Sequence, residues 1–258
     1  MVIQACRDAC NQRSKRQGHH AGLLLQRYTP TLDDNHKNFQ EDILPAMQSA
    51  IEKAGMHFYR VAFARYQKSL KNLSAFREIE SKVLGRMAYG LSTPSPIETG
   101  VTLHHTYGTP VLHGSALKGL AAHYCHQVWG NTQAGFKKDG HYHKTLFGDT
   151  EASGLIVFHD AWLDPSTLKG ALQLDIMTVH HKDYYGGNAA PTDFDEPTPI
   201  PFLSLQGRFW LGLSSIESHP EAQKWVDLAH KLLNEALLNW GIGAKTSSGY
   251  GVMENKNA

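Results

Sequence analysis

The sequence predicts an α+β fold: one ferredoxin-like domain of order β-α-β-β-α-β, the order of RNA-recognition-motif folds, with an N-terminal helical extension and a long inserted loop or thumb. Three observations predict it. Apolar residues recur at spacings of three and four in residues 42–73, 116–129 and 220–240. Apolar runs that suit strands lie before, between and after the last two. Glycines and prolines punctuate the joins.

Residues 1–80 read as a basic and helical extension, and residues 81–258 as the main domain, with an insertion at about 178–200. Up to His36 the chain is polar apart from Leu23-Leu24-Leu25. Ile43, Met47, Ile51, Ala54 and Phe58, then Val61, Ala64, Leu70 and Leu73, mark two helices broken near Gly55. Val83–Leu91 is the expected first strand. Gly100–Val111 is β-rich, with a turn at Tyr107-Gly108-Thr109-Pro110. Ser115 is the expected N-cap of a helix, Ala116–Trp129, ended by Gly130. Strands are expected at Gly154–Leu163, Leu172–His180 and Pro201–Ser214, with an extended loop from Lys182 to Pro201. Pro220 opens a helix to Trp240, with Trp225, Leu228, Ala229, Leu232, Leu233 and Leu237 on one side. A glycine-rich loop, Gly241–Gly251, and a strand at Tyr250–Met253 close the order.

The chain has 258 residues, of which 41% are hydrophobic, so a core can form without disulfides. No run of about 18 apolar residues predicts a membrane span. No apolar core follows the basic N-terminal residues Arg7, Arg13, Lys15 and Arg16, so a cytoplasmic location is expected. Cys6, Cys10 and Cys125 make no disulfide framework. Cys6 and Cys10 lie near His19 and His20, but C-x-x-x-C is a loose zinc spacing. No metal or cofactor is expected. The net charge of +1 means that any RNA contact must be focused on one surface or shared with partner subunits.

In the loop, Gly241, Gly243, Gly249 and Gly251 free the backbone for close approach by a ligand. Lys245, Thr246, Ser247 and Ser248 add one cation and three hydroxyls, a set suited to phosphodiester backbone. A plain helix-terminating turn reads from the same residues. Ser115-Ala116-Leu117-Lys118 with Lys245-Thr246-Ser247 also echoes penicillin-recognising serine enzymes, but no Ser-Asp-Asn accompanies them. Lys118 in the first turn of a helix opposes its dipole unless a phosphate lies there.

Thr99–Pro110, then Gly114-Ser115-Ala116-Leu117-Lys118-Gly119, Phe147-Gly148-Asp149, Asp175–His181, Pro197–Pro201 and the Ser247-Ser248-Gly249-Tyr250-Gly251 loop together resemble the RAMP superfamily of CRISPR proteins, over about residues 83–254. The resemblance implies a non-catalytic subunit of a type III-B ribonucleoprotein that holds a CRISPR guide RNA and destroys complementary target RNA. Its partners would be the two RNAs and other RAMP subunits, with no membrane. Gly114, Ser115 and Lys118 would lie along the guide groove, near the guide 3′ end. Gly243, Lys245, Thr246, Ser247, Ser248, Gly249 and Tyr250 would form the loop over the RNA, and Thr178–Pro199 the thumb.

His104, His105, His180 and His181 are expected to stack on bases or fill polar core sites, and Tyr184 and Tyr185 to wedge against bases. The rival reading is a metal-independent endoribonuclease, with His104 or His105 as base and Lys118 as cation. A third reading is a subunit that contacts protein only. Asp149 and Asp175 are metal-capable, while Asp183, Asp193 and Asp195 suit a loop surface.

Overall fold

A computed structural model of the chain describes residues 20–27, 29, 39–54, 58–179, 187, 190, 198–216 and 220–255. The main sheet is built around β7 (Arg208–Ser215), in which Phe209 to Ser214 are all buried. Burial on both sides is what a strand covered on both faces requires. β1 (Phe76–Val83) runs antiparallel along one side of β7, from Phe76↔Ser214 to Lys82↔Arg208. β8 (Met253–Asn255) lies antiparallel on the far side of β1. The other side of β7 takes β3 (Ile156–Phe158) and β4 (Ala161–Leu163) in succession. β2 (Val111–Leu112) pairs with β4 at the rim. β5 (Leu172–Val179) and β6 (Thr198–Leu205) form a separate antiparallel hairpin.

Three helices sandwich this sheet. α6 (Ala222–Asn239) buries Val226, Ala229, Leu232, Leu233, Ala236 and Leu237, the stripe that spacings of three and four create. α4 (Gly114–Tyr124) packs beside it through Leu117, Ala121 and Tyr124. α3 (Phe58–Lys71) covers the opposite face. Its Phe63 and Tyr66 rings meet Trp210 at 6.2 and 5.8 Å, and its Leu70 lies against Gly212. Side chains alternate along a strand, so Trp210 and Gly212 face α3 while Leu211 and Leu213 face α4 and α6. α1 (Ala21–Arg27), a π turn (Phe39–Ile43) and α2 (Leu44–Ala54) join the same hydrophobic core, which runs from Ala21 to Met253.

Several expected elements are displaced. The first strand is Phe76–Val83 instead of Val83–Leu91. Arg77, Glu78, Glu80 and Lys82 dilute its apolar pattern, yet Ile79, Ser81 and Val83 point inward. Ser115 is not an N-cap: His113 holds that position in an extended conformation, without a side-chain cap. The helix begins at Gly114, a position only glycine fits, because a Cβ there would meet the Phe158 carbonyl oxygen at 1.9 Å. Gly130 does not stop the helix; a π turn (Cys125–Trp129) carries into a last turn (Gly130–Thr132).

The expected strand 154–163 breaks at His159–Asp160 into β3 and β4. The expected strand 201–214 is two strands, β6 and β7, reversing through Gly207 at φ +121°. Between Gly100 and Pro110 only a Leu103↔Pro110 bridge forms before β2. The last strand starts at Met253, after the loop. Two helices went unforeseen: α1, on the Leu23-Leu24-Leu25 patch, and α5 (His141–Phe147).

Candidate nucleic-acid interface

α4 and the loop after α6 face each other across a groove of about 660 Å³. Ala116 and Leu120 of α4 line one wall, Gly241 to Gly243, Thr246 and Ser247 the other, with Tyr89, Asn239 and Trp240 between them. The two sequence blocks, about 125 residues apart, thus bound one space. Ser115 and Gly119 are exposed beside it, and Lys118 is half-buried on the same helix. A Cβ on Gly119 would meet nothing within 4 Å, so α4 is open there.

The loop is a built structure. Ile242 N–H donates to Gly251 O at 2.9 Å and closes its base. Ala244 N–H donates to Ala88 O and Gly251 N–H to Arg86 O, pinning it to the segment after β1. Ser248, Gly249 and Tyr250 donate to Lys245 or Thr246 carbonyls within the turn. Most backbone donors expected to cradle an anion are therefore used inside the fold. The polar groups at the loop tip include the Lys245 ammonium and the hydroxyls of Thr246, Ser247 and Ser248. Lys245 takes φ +61°, a conformation that costs a residue with a Cβ about 1–2 kcal/mol. Its ammonium lies 5.9 Å over the Phe202 ring of β6.

Tyr250 fixes the other flank. Its hydroxyl donates to Asp175 Oδ2 on β5 at 3.3 Å, and Arg86 Nη1 donates to Asp175 Oδ1. Partial burial raises the Tyr250 pKa, with the Asp175 charge adding to it.

The N-terminus of α4 is already occupied by a carboxylate. Gly114 N–H donates to Asp160 Oδ1 at 2.7 Å. Ala116 and Leu117 N–H both donate to His113 O. His113 Nδ1 lies 3.8 Å from Asp160 Oδ2.

His104 and His105 lie outside the lining of the groove. The His104 ring packs on Tyr107 at 4.8 Å and edge-on to Trp162 at 4.7 Å. Its Nδ1 accepts the Thr106 N–H, and burial holds its pKa below the usual imidazole value against the pull of Asp160. His105 O bonds to His20 Nε2 at 2.9 Å. Asp149 accepts the N–H groups of Glu151 and Ala152 and pairs with Lys144 at 3.0 Å, which makes it a turn residue. Among the described residues no group of three or more His, Cys, Asp or Glu is placed to hold a metal ion. His180, His181, Tyr184 and Tyr185 lie outside the described residues, as do Cys6, Cys10, Asp183, Asp193 and Asp195.

Sequence reasoning missed Tyr89, Leu120, Asn239 and Trp240 as groove residues. Trp240 stood next to Gly241 and was read as a helix end. Its ring packs edge-on to Tyr124 at 5.0 Å and beside His123 at 5.2 Å, which orients it into the groove.

These features define an α+β protein whose glycine-rich loop, after the second of two helices on one sheet face, bounds a groove with the first. The chain belongs to the RAMP superfamily, which it matches over residues 54–254. It is similar to the CRISPR system Cmr subunit Cmr6 of Pyrococcus furiosus: 27% identical over 253 residues, covering 75% of this chain and 72% of that protein. Its fold is like that of a chain in the cryo-EM structure of the type III-B Cmr-beta complex bound to cognate target RNA. The TM-score is 0.61 at 18% identity, over 88% of this chain and 78% of that one. The crystal structure of Cmr6 from Pyrococcus furiosus matches at 25% identity and TM-score 0.46, over 70% of this chain and 97% of that one. No helix among the described residues is long and apolar enough to cross a membrane.

Proposed function

We propose that this chain is a non-catalytic subunit of an RNA-guided, type III-B CRISPR effector complex, holding RNA backbone in the groove between α4 and the glycine loop. The observation that carries the reading is the meeting of the two blocks at one groove, Ala116 and Leu120 of α4 facing Gly241–Gly243, Thr246 and Ser247 of the loop, with Lys118 and Lys245 on the same two elements outside its lining. Cations and hydroxyls without a base-reading set suit phosphate contact independent of sequence. The similarity to a Cmr subunit and the fold shared with a Cmr-beta chain support the assembly. On this reading the RNAs are the guide and its complementary target, the site is near the guide 3′ end, the other partners are RAMP subunits, and the location is cytoplasmic.

The same reading takes β1, β3, β7 and β8 as the four strands of a ferredoxin-like sheet. They lie in the order β8-β1-β7-β3, all antiparallel, with α4 between the first two in sequence and α6 between the last two. Residues before β1 are then an extension, and β5–β6 is the base of the thumb.

Ultraviolet crosslinking of the assembled complex tests the proposal. Adducts are expected at Lys245–Tyr250 and on the outer face of α4. Adducts confined to other subunits would make this a protein-only subunit. The endoribonuclease reading retains one observation, an imidazole at His104 whose pKa burial lowers. Cleavage of a repeat-containing RNA by the purified chain, abolished by His104→Ala, would replace the non-catalytic reading.

A further inference from the structure

A second groove, of about 810 Å³, lies on the α3 side of the sheet, away from α4 and the glycine loop. Phe58, Val61 and Arg65 of α3 form one wall, and Tyr107 and Trp162 face them. Phe58 is 78% exposed and Val61 46%, which is unusual for large apolar side chains placed side by side. Lys53 at the end of α2 and Arg65 bring two cations to the rim, and no carboxylate is among the described lining residues.

The Trp162 and Tyr59 rings are spent within the protein, while the Phe58 ring stays open to solvent. Trp162 is stacked with Tyr66 at 4.4 Å and with Tyr59 at 5.8 Å, both at 15°, and His104 meets it edge-on. The Tyr59 hydroxyl donates to Leu163 O and the Tyr66 hydroxyl to Asp160 O. A nucleobase needs an open ring face and partners for its edge. These walls offer neither from Trp162, Tyr59 or Tyr66. A bulky apolar side chain needs only a dry, shaped cavity, and its neighbours meet the rim.

The geometry points to a docking site for a segment of a partner protein. A Trp, Phe or Leu fills the groove between Val61 and Trp162, and flanking carboxylates meet Lys53 and Arg65. The site is independent of the RNA groove because the two lie on opposite faces of the sheet.

The test uses the purified full chain and a fluorescein-labelled peptide pool, in which a central Trp, Phe or Leu is flanked on both sides by Asp and Glu. Saturable anisotropy with a Kd of about 1 mM or tighter is expected. Arg65→Glu and Val61→Asp, both at exposed positions, should weaken it about tenfold. Lys245→Ala, on the other face, should leave it unchanged and so separates this site from the RNA reading. Equal binding of a pool flanked by Lys and Arg, displacement of the peptide by oligouridylate, or no saturable binding would each overturn the proposal.

Discussion

The Asp160 carboxylate, at the break between β3 and β4, accepts the backbone N–H of Gly114 at 2.7 Å. An interruption in one strand therefore caps the helix that walls the groove. A helix N-terminus attracts anions, and here the protein supplies its own.

Asp160→Asn keeps most of the shape and removes the charge. A lost charged cap costs about 1 kcal/mol, or roughly 2–4 °C in Tm for a chain of this size. RNA affinity should rise at the same time, since a phosphate no longer competes with a carboxylate. Thermal unfolding and a filter-binding titration check the two arms. An RNA affinity unchanged by loss of the Asp160 charge would remove the α4 terminus from the interface.

The loop glycines should differ sharply. A Cβ on Gly251 would lie 2.0 Å from Ile242 O, and one on Gly243 2.4 Å from Ala88 O, both at positive φ. Gly249 also has positive φ but open space around it. Gly249→Ala should cost about 1 kcal/mol, the left-handed strain alone. Gly251→Ala and Gly243→Ala should each cost several times more in urea melts, because backbone must move.

Lys245→Ala should weaken RNA binding by roughly the same factor across unrelated sequences. It should also reduce the slope of log K against log salt by about one phosphate contact. Titrations at several salt concentrations measure both. An unchanged slope would mean that the ammonium stays on Phe202 and does not reach RNA.

Acid should destabilise the fold well above the carboxylate range. Burial lowers the pKa of His104, His143, His159 and His230. As pH falls through about 6.5, the unfolded chain takes up protons that the folded chain refuses. Stability is therefore full above that value and is lost below it, down to the lowered folded pKa values. Denaturant midpoints at pH 7.5, 6.5 and 5.5 should drop in step. His159→Gln, which retains a partner for the Ser214 hydroxyl that His159 Nε2 meets at 2.8 Å, should flatten the decline.

The second helix of the main domain, α6, was legible because its apolar stripe is uninterrupted over five turns, and the loop after it because four glycines fall within Gly241–Gly251. β1 was illegible because its outward residues are charged and only three inward residues carry the pattern. The break at His159–Asp160 was hidden inside an apolar run, since a strand interruption leaves no periodic trace when the side chains on both sides of it are buried. The groove was half-legible. Its two walls are contiguous motifs, but Tyr89 enters it only through tertiary packing, from a segment far from both in sequence.

Tyr250 is anchored to Asp175, so the glycine loop and the β5–β6 hairpin are tied by a shared carboxylate that also holds Arg86. Neither element can swing without breaking that junction. On the proposed reading, RNA held at the loop and the pose of the hairpin would form one coupled equilibrium, in which a contact that tilts the hairpin changes affinity at the loop by the factor that loop occupancy changes the tilt.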